Sequence, residues 1–266
     1  MTETILKLTN LSKGFGGVQV IDDCSFDVPR GARMALIGPN GSGKTTVFNL
    51  ISGTMTPDRG EILLGGQRID NISPWSRAHH GLGRTFQITR LFREMTVLEN
   101  VVAPLRDFSV GQLGLGAVSG SEAARAEELL DFVGMAAYRD ARAGALSYGQ
   151  QKLVELAQVM MLDPKLILLD EPAGGINPTL IERMGDLIRE LNASGKTFLL
   201  VEHNMPFVVN LCDPIRVLAR GAVIAQGSPE QIQKDPLVLD AYLGDDYLLE
   251  APSKGSTVPV VERNPA

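Results

Sequence analysis

The spacing of hydrophobic positions changes several times along the chain, and each change predicts a new element. Strand-like patterns cover residues 5–11, 20–28, 32–37, 166–169, 197–201, 215–219 and 222–225. Apolar residues recur at helical spacing over residues 46–51, 150–162, 178–191 and 236–243. The run at 166–169 is apolar throughout, as is typical of a parallel strand with helices on both faces. The pattern therefore predicts an α/β fold.

Two segments interrupt this pattern. Residues 102–120 are rich in glycine and lack any period, which predicts a surface insertion or loop. Ser121 follows and is predicted to cap a helix that runs to about Tyr138, because serine accepts hydrogen bonds from the first helical N–H groups. Residues 250–266 are rich in proline, serine and charged side chains, a composition that favours a disordered tail.

The composition fits a soluble globular protein and limits its partners. The 266 residues are 44% hydrophobic and carry a formal net charge of −6, and no segment is rich in lysine and arginine. Nucleic-acid binding is therefore disfavoured, because neutralisation of phosphate charge dominates such affinity. No apolar run reaches the ~20 residues of a membrane helix, and residues 1–5 do not resemble a secretory signal. Cys24 and Cys212 match no disulfide or metal spacing, so we expect small buried side chains and a cytoplasmic location.

The segment Gly38-Pro39-Asn40-Gly41-Ser42-Gly43-Lys44-Thr45 matches the phosphate-loop pattern G-x-x-x-x-G-K-[ST] in full. It stands between a predicted strand and a predicted helix, which is the context that this motif requires. Glycines let backbone N–H groups close around phosphate oxygens, and the helix directs its positive end toward them. We expect Lys44 to neutralise the β- and γ-phosphates and Thr45 to ligate Mg²⁺. The motif predicts a nucleoside triphosphate site.

Two carboxylates, Asp170 and Glu171, directly follow the apolar run 166–169. The carboxyl ends of parallel strands form the usual ligand edge of an open α/β sheet. We therefore expect Asp170 to hold Mg²⁺, directly or through water, and Glu171 to polarise a water that attacks the γ-phosphate. Acids at strand ends are often only solvated turn residues, but the upstream phosphate loop favours the catalytic interpretation.

The order of the motifs resembles that of the ATP-binding cassette (ABC) ATPases over roughly Leu6 to Gly227. After the phosphate loop come the glutamine loop at Gln87, the signature Leu146-Ser147-Tyr148-Gly149-Gln150, the acidic strand 166–171, the D-loop 173–177 and the switch histidine His203. The resemblance implies one ABC ATPase domain over residues 1–249, which uses ATP and Mg²⁺. Its expected architecture is a P-loop NTPase core with a mainly parallel sheet, an N-terminal antiparallel β subdomain and a helical subdomain, at about 88–164, that carries the signature.

The resemblance also assigns roles within one subunit. Phe15 stacks on adenine, and Thr46 joins the phosphate loop in binding ATP. Gln87 reaches both Mg²⁺ and the attacking water, while its loop contacts a membrane partner. His203 contacts the γ-phosphate. Together with Lys44 and Glu171, Gln87 and His203 are the expected catalytic residues, whereas His79 and His80 match no motif and are expected at the surface.

The signature residues are expected to act on a second subunit. A short Ser/Gly segment that opens a helix offers N–H groups, a hydroxyl and a positive dipole end to an anion. By resemblance, Ser147, Gly149 and Gln150 bind the ATP that is held by another ABC ATPase subunit. The resemblance therefore implies a head-to-tail homodimer or heterodimer.

Two departures from the common family pattern indicate a subfamily. Tyr148 stands where most members have glycine, and Asn177 stands where most have aspartate. Both are similar to the ATPases of branched-chain amino acid uptake systems, as are segments 84–87, 90–92, 95–101, 201–204 and 241–244. This resemblance implies a peripheral subunit on the cytoplasmic face of the inner membrane. Its partners would be transmembrane permease subunits and, indirectly, an external solute-binding protein, with branched-chain amino acids or similar small polar solutes as cargo.

Two other classes of protein share part of this pattern. A soluble ABC ATPase that acts on DNA or ribosomes would carry long coiled coils or two cassettes, neither of which the sequence contains. A P-loop kinase of small molecules would not need Gln87, the signature or His203. The importer ATPase is thus the leading interpretation.

Overall fold

The computed structural model describes residues 3–105 and 119–243. Within them the strands are β1 (Thr4–Phe15), β2 (Val18–Pro29), β3 (Arg33–Ile37), β4 (Arg59–Leu64), β5 (Gln67–Arg68), β6 (Leu82–Arg84), β7 (Leu166–Asp170), β8 (Thr197–Val201), β9 (Ile215–Ala219) and β10 (Ala222–Gly227). The α-helices are α1 (Lys44–Ser52), α2 (Pro74–His79), α3 (Val97–Val102), α4 (Gly120–Phe132), α5 (Tyr148–Met160), α6 (Pro178–Ala193), α7 (Met205–Leu211), α8 (Pro229–Ile232) and α9 (Pro236–Leu243). The predicted tail at 250–266 and most of the predicted insertion at 102–120 lie outside the described residues.

The N-terminal strands form an antiparallel sheet in the order β2-β1-β4-β5. Along β1, Leu6 and Leu8 are buried while Lys7 between them is exposed, because successive side chains of a strand point to opposite faces. This alternation is the one that the sequence shows at 5–11. The predicted N-terminal antiparallel β subdomain is confirmed.

A second sheet has the strand order β10-β9-β3-β8-β7-β6. The neighbours from β9 to β6 pair in parallel, and only the edge strand β10 is antiparallel to its neighbour β9. The predicted mainly parallel sheet is thus confirmed. Because β3, β8, β7 and β6 run in the same direction, the segments that follow them emerge at one edge of the sheet.

The buried strands separate two hydrophobic cores. Leu166 and Leu168 face the core that β3 and β7 share with the antiparallel sheet and α1. Ile167 and Leu169 face the opposite core, where α5, α6 and α7 pack. A strand that is buried on both sides has no polar face, which explains the uninterrupted apolar run.

Helices α3, α4 and α5 pack together and place the signature segment at the start of α5. The helix predicted from Ser121 to about Tyr138 is present as α4, but its predicted cap and its predicted end were wrong. Ser119 is the N-cap, because it forms a capping box with Glu122, three residues ahead. The helix ends at Phe132, and Gly134, with φ of 76°, turns the chain before a separate 3₁₀ helix at Ala136–Tyr138.

Two further expectations concern burial. Cys24 and Cys212 are free and buried, and His79 and His80 are exposed, as the sequence predicted. None of the helices within residues 3–105 and 119–243 is long and apolar enough to cross a membrane.

Candidate active site

The segment between β3 and α1 is a tight loop that only glycine fits at two positions. Gly38 has φ of 152° and Gly43 has φ of 104°, conformations that L side chains rarely adopt. A Cβ atom on Gly38 would lie 2.0 Å from the carbonyl oxygen of Leu218, and one on Gly43 would lie 2.5 Å from Cδ1 of Ile21. The two glycines let the loop pack closely on β9 and β2.

Lys44 opens α1 and folds its side chain back over the loop. Its Nζ donates hydrogen bonds to the carbonyl oxygens of Gly38 (2.7 Å) and Pro39 (2.8 Å). No side chain caps the start of α1, which directs its N-terminus and positive dipole end at the loop. Thr45 is exposed and Thr46 is half-buried in the same turn. This arrangement has the features of an anion site.

Asp170 and Glu171 lie at the same edge of the sheet, two strands away from the phosphate loop. β7 pairs with β8, which pairs with β3, and the N–H of Glu171 donates to the carbonyl oxygen of Val201 (2.9 Å). Glu171 has φ of 50°, which is an uncommon and strained conformation for a residue other than glycine. This turn directs the Glu171 side chain toward the segments that follow β6 and β8.

Asp170 is buried and paired with Arg84 at the end of β6. Nη2 of Arg84 lies 3.2 Å from Oδ2 of Asp170, and Nη1 donates to Asn49 (2.8 Å) and Ser52 (2.6 Å) of α1. Burial raises the pKa of Asp170 above its ordinary value, although the charge and hydrogen bond of Arg84 oppose that shift. Arg84 thus links the acidic strand to the helix that follows the phosphate loop.

Three of the predicted catalytic side chains meet. Nε2 of Gln87 lies 2.9 Å from Oε2 of Glu171, and Nε2 of His203 lies 3.0 Å from Oε1 of the same carboxylate. These residues are far apart in the sequence and follow three different strands, β6, β7 and β8. Their contact results from the shared direction of those strands.

The signature residues lie at the start of α5. Ser147 is its N-cap, and Ser147 and Gln150 form a capping box: the N–H of Ser147 donates to Oε1 of Gln150 (2.9 Å). Ser147 is exposed. Gly149 packs against α6, where an added Cβ would lie 2.2 Å from Cδ2 of Leu180. Gly149 thus packs the signature segment closely against α6, while Ser147 at the N-terminus of α5 stays exposed.

Phe15 and Asn177 are the remaining residues that the sequence singled out. The Phe15 ring is 43% exposed at the end of β1, and Nζ of Lys13 lies 5.7 Å from its centroid. This exposure is compatible with stacking on a base, and the adenine role of Phe15 stays a prediction. Asn177 is the N-cap of α6, where its side chain accepts from the N–H of Leu180 (2.9 Å).

The structure reveals site residues that sequence reasoning missed. Glu202 is 2% exposed, and its carboxylate accepts from the N–H groups of Ala173 (2.6 Å), His203 (2.9 Å) and Asn204 (3.0 Å). It thereby ties the D-loop to the segment of the switch histidine. Tyr242 of α9 forms a hydrogen bond with the backbone of Gly38, and burial raises the pKa of its phenol to about 12. In the sequence, the one indication of a role for Glu202 is its position directly before His203.

The residues present fit a magnesium nucleotide. The loop offers a helix N-terminus and the Lys44 ammonium group to the phosphates, and Thr45 and Asp170 offer oxygen atoms, the ligand type that Mg²⁺ prefers. Among the described residues, no cluster of three or more His, Cys, Asp or Glu side chains could hold a metal ion without other ligands. Such a site suits a Mg²⁺ ion that also takes phosphate oxygens and water as ligands.

Comparison with known proteins agrees with this geometry. A model of the ABC transporter family matches residues 21–174, and one described as branched-chain amino acid ATP-binding cassette transporter matches residues 222–247. The high-affinity branched-chain amino acid transport ATP-binding protein LivG of Escherichia coli is 38% identical over 258 residues, which cover 92% of this chain and all of LivG. BraF of Pseudomonas aeruginosa, which has the same description, is 39% identical over 254 residues, with 92% of this chain and all of BraF covered.

Solved structures show the same relationship. A nucleotide-free ATP-binding cassette from an ABC transporter superposes with a TM-score of 0.84 at 34% identity, covering 91% of this chain and 100% of that cassette. The ADP conformation of an ATP-binding cassette of an ABC transporter gives a TM-score of 0.84, also at 34% identity, covering 92% of this chain and 100% of that cassette. The motifs, the fold and the relatives agree: this chain belongs to the ATP-binding cassette family of ABC transporters, and it is an ATPase.

Proposed function

We propose that this protein hydrolyses ATP with Mg²⁺ to drive an importer of branched-chain amino acids or similar small polar solutes. The convergence of Gln87 and His203 on the two oxygens of the Glu171 carboxylate carries the hydrolytic part of the proposal. The cargo class is supported by the match at residues 222–247 and by the descriptions of LivG and BraF. The departures at Tyr148 and Asn177 support the same subfamily.

The geometry suggests a role for each residue in hydrolysis. Lys44 and the N-terminus of α1 would hold the phosphates, and Thr45, Asp170 and Gln87 would hold Mg²⁺, which neutralises charge on the phosphate oxygens. Glu171 would accept a proton from the attacking water. Its two carboxylate oxygens contact Gln87 and His203, and each oxygen keeps a second lone pair that can accept from the water.

The signature segment supports a head-to-tail dimer with a second ABC ATPase subunit. Ser147 is exposed at the N-terminus of α5, where the helix dipole favours an anion. Ser147, Gly149 and Gln150 would meet the γ-phosphate of the ATP that is bound to the partner. Such a dimer closes when ATP is bound and opens when hydrolysis removes the bridging charge.

A groove beside Gln87 supports a permease partner. It has a volume of about 410 Å³ and is lined by residues that include Phe86, Arg90, Phe92 and Trp75. Trp75 is 58% exposed and Phe92 is 50% exposed, which is unusual for large apolar side chains in one patch. A cytoplasmic segment of a permease subunit would cover this groove and hold the ATPase at the inner face of the membrane. A solute-binding protein would act only through that permease, and no nucleic acid takes part.

The replacement Glu171→Gln tests the catalytic role. We expect the variant to lose ATP turnover while it still binds a fluorescent ATP analogue, because the amide has the same shape but cannot accept the proton. Glu182→Gln, an exposed residue of α6, is the control and should hydrolyse ATP like the wild type. Turnover by Glu171→Gln at the wild-type rate would overturn the assignment.

Reconstitution tests the partner and the cargo. The ATPase should co-purify with hydrophobic permease subunits, and in proteoliposomes its activity should rise when leucine and the binding protein are added. Stimulation by another class of solute would refute the cargo, and recovery with ribosomes or DNA alone would refute transport.

A further inference from the structure

One side of α5 carries three polar side chains, of which Lys152 and Glu155 are buried while Tyr148, in the first turn, is 38% exposed. Tyr148, Lys152 and Glu155 are spaced i, i+4 and i+7, which aligns them along two turns. Lys152 is 4% exposed and Glu155 is 3% exposed, in a helix whose other inward residues are largely apolar. Burial of an ammonium group and a carboxylate is costly unless both are hydrogen-bonded. The hydrogen-bond partners of Lys152 and Glu155 therefore indicate which segments these two buried side chains hold in place.

Two of the three residues hold the glutamine loop. The hydroxyl of Tyr148 donates to the carbonyl oxygen of Gln87 at 2.7 Å. Oε1 of Glu155 accepts from the N–H of Phe86 at 3.1 Å, and the N–H of Arg90 also donates to Glu155. The loop is thus fixed to α5 on both sides of Gln87 and at Gln87 itself.

The third residue holds the acidic strand. Nζ of Lys152 donates to the carbonyl oxygen of Glu171. The same helix therefore bonds to the main chain of both Gln87 and Glu171, whose side chains lie 2.9 Å apart. A displacement of α5 must change the distance between these side chains or carry both of them along.

The N-terminus of α5 has a second proposed role, namely to contact the nucleotide of the partner subunit. Ser147, at its N-terminus, is the residue that would contact the partner's ATP, as proposed above. Tyr148, directly next to Ser147, also packs near Gly175 of the D-loop, where an added Cβ would lie 3.1 Å from Cε1 of Tyr148. The segment that would bind the partner's nucleotide thus directly adjoins the bonds that hold this chain's own catalytic pair.

We propose that Tyr148, Lys152 and Glu155 are positioning residues for ATP hydrolysis, which tie Gln87 and Glu171 to the signature helix. The helix that would present Ser147 to the partner's ATP is thereby bonded to the main chain of both catalytic residues. This inference rests on the proposed dimer and on the proposed catalytic role of Glu171.

Tyr148→Phe gives the cleanest test, because it removes one hydroxyl and keeps the ring. We expect kcat to fall about three- to tenfold, the effect of one lost hydrogen bond, with little change in KM for ATP. Tyr138→Phe, at an exposed position of the same helical region, is the matched control and should retain wild-type kcat. A kcat for Tyr148→Phe within twofold of the control would overturn the proposal.

Glu155 offers a test by conservative rescue. Glu155→Gln keeps an oxygen that accepts from the Phe86 N–H, so it should retain most of kcat, whereas Glu155→Leu should lose about tenfold or more. Circular dichroism and urea unfolding identify variants that fail to fold, and Tyr148→Phe then carries the test alone. Equal kcat values for folded Glu155→Gln and Glu155→Leu would count against a positioning role.

A double variant tests whether Tyr148 and Glu155 act on kcat through the same loop or independently of each other. Tyr148→Phe combined with Glu155→Leu should lower kcat by less than the product of the single effects, because both residues hold the same loop. Multiplicative effects would contradict a shared role. Failure of the proposed function is distinguishable, because Glu171→Gln would then turn over ATP, whereas failure of this inference alone leaves Glu171→Gln inactive and Tyr148→Phe fully active.

Discussion

Replacement of Glu155 by glutamine is expected to change how the stability of this ATPase depends on pH. Glu155 lies in the interior between α5 and the glutamine loop. Burial raises the pKa of its carboxyl from 4.5 to about 7, although the N–H groups of Phe86 and Arg90 and the charges of Lys152 and Arg90 oppose the shift. The folded protein thus disfavours the ionised form of this side chain.

The sign of the effect follows from the proton balance. Between the unfolded value of 4.5 and the folded value of about 7, the folded protein binds more protons than the unfolded chain. The contribution of Glu155 to the free energy of unfolding therefore falls as the pH rises through this window and is constant outside it. A pKa difference of about 2.5 corresponds to about 3 kcal/mol, of which about 2 kcal/mol is lost between about pH 5.5 and 8.

Urea unfolding of the nucleotide-free protein measures this loss directly. Glutamine keeps an oxygen acceptor but has no ionisable group, so Glu155→Gln should gain about 2 kcal/mol relative to the wild type as the pH rises from about 5.5 to 8. Glu94→Gln, whose side chain is 86% exposed, is the control and should follow the wild type at every pH. If the wild type and Glu155→Gln gave parallel curves, the argument from burial would be refuted.

Three further predictions concern the phosphate loop and two helix ends. Gly38→Ala should abolish binding of a fluorescent ATP analogue, because its Cβ would lie 2.0 Å from a carbonyl oxygen. Gly41→Ala should weaken binding less, because it meets only the cost of a positive φ of 74° and no atom within 4 Å; equal affinities would contradict the steric argument. Asn177→Ala should lower the free energy of unfolding by about 1 kcal/mol through loss of the α6 cap, and Asn177→Asp should restore it in urea unfolding. Arg77→Met should cost about 2 kcal/mol or more, because the 1% exposed guanidinium donates to the carbonyl oxygens of Leu50 and Ile51 at the end of α1; an unchanged urea midpoint would refute this.

Local sequence signals identified the parts of the site that are contiguous in the chain. The phosphate loop is recognisable because glycine spacing, Lys44 and the flanking strand and helix all lie within one short segment. The cap of α4 was predicted two residues too late, at Ser121, because the spacing to Glu122 was not used: Ser119 stands three residues before Glu122 and forms the capping box. Strand β6, with three residues, is too short to show a period, so it was not predicted.

The sequence by itself determined the α/β class, the phosphate loop and the family, because these depend on local periods and on motif order. Only the tertiary structure decided that Gln87, Glu171 and His203 meet, since parallel strands carry distant segments to one edge of the sheet. It also decided that Lys152 and Glu155 are buried and bonded to the glutamine loop and the turn at Glu171. Such bonds use main-chain atoms as partners, which every residue possesses, and so they leave no pattern in the sequence.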